Sequence, residues 1–88
     1  MKTIDQLAIE QSHTTPEEIA TRRAERTANA FHTSQPSRRR MMAHLRNRTK
    51  DVLNPPWWEV LELECLTAHD ARMQTDPEYR RRSINNEH

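Results

Sequence analysis

Thr15-Pro16-Glu17-Glu18-Ile19-Ala20-Thr21-Arg22-Arg23-Ala24-Glu25-Arg26-Thr27-Ala28-Asn29-Ala30-Phe31 is the stretch that decides the fold class. Thr15 can cap a helix, Pro16 fits the first helical position because no N–H is needed there, and Glu18 stands at the third position of a capping box. Ala20, Ala24, Ala28 and Phe31 then recur at helical spacing. That spacing predicts a narrow, alanine-rich stripe suited to close helix packing, with Arg22, Arg23 and Arg26 pointing away from it.

The rest of the chain extends the same reading. After His32-Thr33-Ser34-Gln35-Pro36, Ser37 can cap a second long helix whose apolar stripe is Met41/Met42, Leu45, Thr49 and Val52/Leu53. Asn54-Pro55-Pro56 stops it, because proline disfavours helical geometry in the residue before it. A third helix is predicted from Trp57 to Met73, with Trp57, Trp58, Leu61, Cys65 and Ala68 on or near one side. Ile4, Leu7 and Ala8 suit a short helix within the first twelve residues, and Asp76-Pro77 opens a short last turn. The expectation is an all-α chain: one small helical domain over 1–82, built on three main helices at about 15–31, 37–53 and 57–73, with short terminal helices and a flexible tail at 83–88.

Leu, Ile, Val and Phe together number only thirteen of 88 residues. A core that thin makes folding marginal, so completion by dimerisation or by a partner is part of the expectation. Glycine is absent altogether. Phosphate-cradling loops, dinucleotide fingerprints and nucleophile elbows all need glycine, so those functions are excluded. The single cysteine, Cys65, can form no internal disulfide, and a reduced cytoplasm is the expected compartment. The first residues lack the apolar run of a signal peptide, and no stretch approaches the roughly 20 apolar residues that span a bilayer. No membrane contact is expected.

Of the fourteen basic residues, only Lys2 and Lys50 are lysine; the other twelve are arginine. A guanidinium grips phosphate or carboxylate through two parallel hydrogen bonds and stacks on rings, which an ammonium cannot do. The charges are also segregated. Residues 22–50 carry nine basic groups against Glu25 alone, whereas residues 51–78 carry seven acidic groups against Arg72 alone. Either a basic face attracts an anion, or the two halves pair with each other inside the bundle.

Three arginine clusters divide this signal. Arg38-Arg39-Arg40 falls in the first turn of the helix expected from Ser37, where the macrodipole favours acids. Three guanidinia at a helix N-terminus would form a strong anion site, continued along the helix by Arg46, Arg48 and Lys50. Arg22, Arg23 and Arg26 extend the patch, although Glu18 and Glu25 can pair with them. Arg80-Arg81-Arg82 suits the C-terminal end of its short helix.

Trp57 and Trp58 are neighbours, so their indoles point about 100° apart on a helix and cannot fill the same spot. One is expected to face outward as a partner anchor, with Met41 and Met42 as adaptable contacts. Glu62, Cys65 and His69 share helical spacing but make a weak ligand set, and no metal or cofactor is expected. His69-Asp70 completes no triad or acid/base dyad, and so short a helical chain has little room for a sheltered pocket. No enzyme activity and no small-molecule substrate are expected.

Thr21-Arg22-Arg23-Ala24-Glu25-Arg26 resembles the arginine-rich RNA-binding helix of lambdoid phage N antitermination proteins, and Leu53-Asn54-Pro55 with Val60-Leu61 looks like another segment of that family. The resemblance implies an RNA-binding antitermination factor, covers about a dozen residues and lacks the family's further arginines after Arg26. The double tryptophan and strong capping also depart from the largely disordered character that the family implies. Compactness, missing glycine and dense charge resemble, as a general type, accessory regulators carried by phages and plasmids. Two functional readings therefore stand: a regulatory protein that contacts nucleic-acid phosphates through an arginine-rich helical face, and an interaction module or inhibitor that docks on a larger host complex through Trp57 or Trp58.

Overall fold

The computed structural model describes residues 2–86, with side chains as far as Arg82. Five α-helices follow one another with no strand among the described residues: α1 (Ile4–Ser12), α2 (Pro16–Phe31), α3 (Gln35–Thr49), α4 (Trp57–Thr75) and α5 (Pro77–Asn86). The fold is all-α, as the spacing predicted. Each of the first three helices starts at a hydroxyl cap. Thr3 and Gln6 bond each other's backbone N–H groups in a full capping box, Thr15 accepts from the Glu18 N–H at 3.3 Å, and Ser34 accepts from the Ser37 N–H at 3.4 Å. Without glycine, the left-handed turns fall to His13 (φ 54°), which ends α1, and to Asp51 (φ 61°), just beyond α3.

α4 is the hub, touching every other helix. It has to bury most of its circumference, and its sequence allows this. Trp57, Leu61 and Cys65 join Leu7, Ala8 and Ile19 in one cluster, whereas Leu66 joins Ala30, Met42 and Leu45 in a second. Near the C-terminal end of α4, His69 meets Phe31 edge-on at 5.0 Å and shares a 2.6 Å hydrogen bond with the Tyr79 hydroxyl, which ties α5 to α2 and α4. Gln11 closes the other end. Its side chain donates to the Pro55 carbonyl and accepts from the Trp57 N–H, and the Trp57 indole N–H donates to Ser12.

Four local expectations need correction. Ser34, not Ser37, caps α3, so the helix begins two residues earlier than expected and Pro36 sits inside its first turn. Ser34 and Ser37 are equivalent as caps by residue type, and proline is tolerated at either early position. At the other end α3 stops at Thr49, which leaves Val52 and Leu53 exposed rather than on an apolar stripe. In α2 the buried row is Ile19 and Ala30, with Arg23, Arg26 and Thr27 partly covered, while Ala20, Ala24 and Ala28 face solvent. Three alanine methyls offer little apolar area, and turning the helix buries Ile19 and the arginine stems instead. Finally, α5 is a ten-residue helix that continues through 83–86, into the stretch expected as a tail; residues 87 and 88 lie outside the described residues.

The Asp76 carboxylate starts α5 by accepting from the Tyr79 and Glu78 N–H groups at 3.2 and 3.1 Å. The bond from Tyr79 holds its pKa below the ordinary aspartate value, with the Arg72 side chain and the Glu78 N–H adding to it against a desolvation that pulls the other way. A depressed pKa means that this cap is in force above the ordinary value and lost as pH falls through the lowered one. The amide resonances of Glu78 and Tyr79 should therefore titrate with a midpoint below 3.8, and Asp76→Asn should abolish that titration. A midpoint at or above the ordinary value would contradict the cap.

Candidate nucleic-acid interface

The arginines expected to form one patch divide into two groups. Arg23 pairs with Glu64 at 2.6 Å, Arg26 with Glu62 at 3.8 Å and Arg48 with Glu59 at 2.7 Å, so the acidic α4 does neutralise part of the basic half. These pairs are partly exposed and each adds little stability. They do, however, occupy their cations. Arg22, Arg39, Arg40, Arg46 and Lys50 are exposed and have no ion pair among the described residues.

Arg38 lies apart from both groups because it is 1% exposed. Its guanidinium donates to the carbonyl oxygens of Ala30, at 3.3 Å, and Thr33, and through Nε to Asp70 Oδ1 at 3.4 Å. Ala30 and Thr33 lie at the end of α2, where orphan carbonyls collect, and Asp70 belongs to α4. Arg38 is thus an internal clasp, buried away from the surface. The shifted start of α3 explains the misreading. The Arg38 N–H already bonds to the Ser34 carbonyl, so Arg38-Arg39-Arg40 begins one turn inside the helix rather than at its positive end. A first-turn anion site at these residues is withdrawn.

What remains of α3 is a helix buried along one narrow row, Arg38, Met42 and Leu45, and open around the rest. Arg39, Arg46 and Lys50 recur at i, i+7 and i+11 on one flank. Arg40, Ala43, His44 and Asn47 form the row opposite the buried one, and Met41 with Arg48 forms the other flank. An open groove of about 450 Å³ runs beside the first flank, lined by Arg39 and Arg46 from α3 and by Thr67, Asp70, Ala71 and Gln74 from α4. Asp70, the only acid lining it among the described residues, is held by Arg38.

The tryptophans separate as their spacing predicted: Trp57 is buried and Trp58 is 52% exposed, its ring edge-on to Trp57 at 6.3 Å. Trp57 and Met42 belong to the core and are withdrawn as partner contacts, whereas Trp58 and Met41 remain at the surface. Leu53, 88% exposed, and Val52 join them as apolar groups facing solvent, which the sequence reading had placed on a helix.

The cluster Arg80-Arg81-Arg82, expected at the C-terminal end of its helix, lies inside it instead, because α5 runs on to Asn86. Arg80 lies in the interior of α5 and donates to the Met73 and Gln74 carbonyls, so it suits the C-terminal end of α4 rather than that of its own helix. Arg72 stacks 4.1 Å from the Tyr79 ring centre. Cys65 is buried, which pushes its thiol pKa up, and among the described residues no group of three His, Cys, Asp or Glu side chains could hold a metal ion. No described helix is long and apolar enough to cross a membrane. Comparison with family models, curated proteins and solved structures finds no match to this chain.

Arg38→Ala should lower stability by about 3–5 kcal/mol, as expected when one partner of a buried charge pair is removed. Arg38→Lys should not rescue it, because an ammonium cannot reach two carbonyls and a carboxylate as a fork does. Arg39→Ala should stay within about 0.5 kcal/mol of the parent. Urea denaturation monitored by tryptophan fluorescence measures all three, and equal costs at 38 and 39 would contradict the clasp.

Proposed function

We propose that this chain is a non-enzymatic regulatory protein of the accessory type that binds the phosphates of nucleic acid through the open face of α3. The observation that carries this reading is the set Arg39, Arg40, Arg46 and Lys50: four exposed cations on α3 and its C-cap residue, without a carboxylate partner among the described residues, beside a chain whose other cations are largely paired. A positive face in a nearly neutral molecule attracts a polyanion locally without making the whole protein sticky. Three of the four groups are guanidinia, which suit phosphate geometry. The cytoplasm, where nucleic acid and reduced thiols coexist, is the proposed location.

With three or four of these cations on the phosphates of duplex DNA, log K should fall against log salt with a slope of about −3 to −4. Fluorescence anisotropy with a labelled 20-base-pair duplex measures this. Replacing Arg39, Arg40, Arg46 and Lys50 together by glutamine should abolish binding at moderate salt and leave the fold intact. Binding by the quadruple variant equal to that of the parent would sink the proposal.

A second reading rests on the exposed apolar side chains of Val52, Leu53, Trp58 and Met41, which suit a protein partner. Trp58→Ala separates the two. It should leave nucleic-acid affinity within about twofold while weakening any protein complex by tenfold or more, the range typical of a tryptophan anchor. Loss of nucleic-acid binding in Trp58→Ala alone would move the interface away from α3.

A further inference from the structure

We infer that α3 enters the major groove of duplex DNA and reads base edges with Arg40, His44 and Asn47, an inference that rests on the phosphate-binding reading above. The argument begins with how little of α3 is covered. Its buried row is Arg38, Met42 and Leu45, and the helix that packs against that row is α4. A helix held along one side projects from the edge of the bundle. With its side chains it measures about 10–12 Å across, and the B-form major groove is about 12 Å wide. The helix fits only if its far side and both flanks are free of bulk and of unpaired negative charge. Arg40, Ala43, His44 and Asn47 on the far side and Arg39 and Arg46 on one flank are exposed, α3 holds no acidic residue, and the carboxylates beside its flanks, Asp70 and Glu59, are each paired with an arginine.

The residue types are distributed as such docking requires. The row that would face the groove floor is Arg40, Ala43, His44 and Asn47, which combines two large hydrogen-bonding side chains, an imidazole and one methyl. Arginine forms paired hydrogen bonds with the O6 and N7 of guanine, asparagine does so with the N6 and N7 of adenine, and a small residue lets the helix backbone approach. Arg39, Arg46 and Lys50 lie about a quarter turn away, where the phosphates of one strand would pass. The groove beside Arg39 and Arg46 continues over Thr67, Ala71 and Gln74 of α4, and the carboxylate among them, Asp70, is paired with Arg38. Arg48, held by Glu59 at 2.7 Å, lies on the opposite flank. A solvated basic face would not need Ala43, His44 and Asn47 in a row between its cations.

The geometry also selects the nucleic acid. A-form RNA has a deep, narrow major groove that excludes a helix, so double-stranded RNA should not be read in this way. From Arg40 to Asn47 the helix advances about 10 Å, which matches a core site of roughly three base pairs.

The test is repeated selection of bound sequences by the full chain from three random libraries: duplex DNA, duplex RNA and single-stranded RNA. The expected result is a conserved core of about three to four base pairs in the DNA duplexes only. Arg40→Ala and Asn47→Ala should each relax the preference at one position by about tenfold or more while retaining affinity for unrelated duplex DNA, and Arg39→Ala should weaken all sequences uniformly. Circular dichroism of each variant checks that the fold persists, as exposed positions predict. DNA retention without an enriched core, a core unchanged by Arg40→Ala and Asn47→Ala, or stronger enrichment from either RNA library overturns the major-groove inference and leaves phosphate binding standing. Failure to retain any of the three libraries overturns both.

Discussion

The Arg38 guanidinium touches three helices: it extends from α3, satisfies carbonyls at the end of α2 and pairs with Asp70 on α4. A buried charge is costly unless it is both paired and hydrogen-bonded, and here it is both. The position of α3 depends on it. In the second cluster Met42 and Leu45 supply the only buried apolar side chains of α3, too little to fix a fifteen-residue helix by hydrophobic contact alone. The clasp sets the rotation of α3 about its own axis, and that rotation decides which arginines face solvent.

Once Arg38 is turned inward, helical geometry sends Arg39 to one flank and Arg40 to the outer row. Arg46 and Lys50 then follow Arg39 at i, i+7 and i+11. The carboxylates of α4 divide the remaining cations. Glu62 and Glu64 hold Arg26 and Arg23, which draws charge off the α2 side, and Glu59 holds Arg48 near the end of α3, which leaves Arg39, Arg40 and Arg46 as the cations of α3 with no carboxylate partner among the described residues. A chain of net charge +1 thereby acquires one strongly positive helix without a general excess of positive charge.

Much of the fold was legible in the sequence because it was written locally. Thr15-Pro16 marks the start of α2, Pro55-Pro56 precedes α4, and the neighbouring indoles of Trp57 and Trp58 had to diverge. The candidate site was less legible because it depends on partners far along the chain. Nothing near Arg38 announces that it will meet Ala30, Thr33 and Asp70, and the serines at 34 and 37 are indistinguishable as caps until the chain is folded. The alanine stripe of α2 misled for a related reason: periodicity reveals a small-residue face but not whether another helix covers it. The segregation of charge along the chain was visible, whereas the pairing that removes Arg23, Arg26 and Arg48 from the free set spans 41, 36 and 11 residues and was not.

The division of labour along α3 can be read directly from the arginine Nε–H resonances in a proton–nitrogen correlation spectrum, recorded while duplex DNA is added. Arg39, Arg40 and Arg46 should shift as phosphate and base contacts form, and Arg38, locked between α2 and α4, should stay in place. Movement of Arg38 together with its neighbours, or shifts confined to the Trp58 indole and the Leu53 amide, would contradict the account.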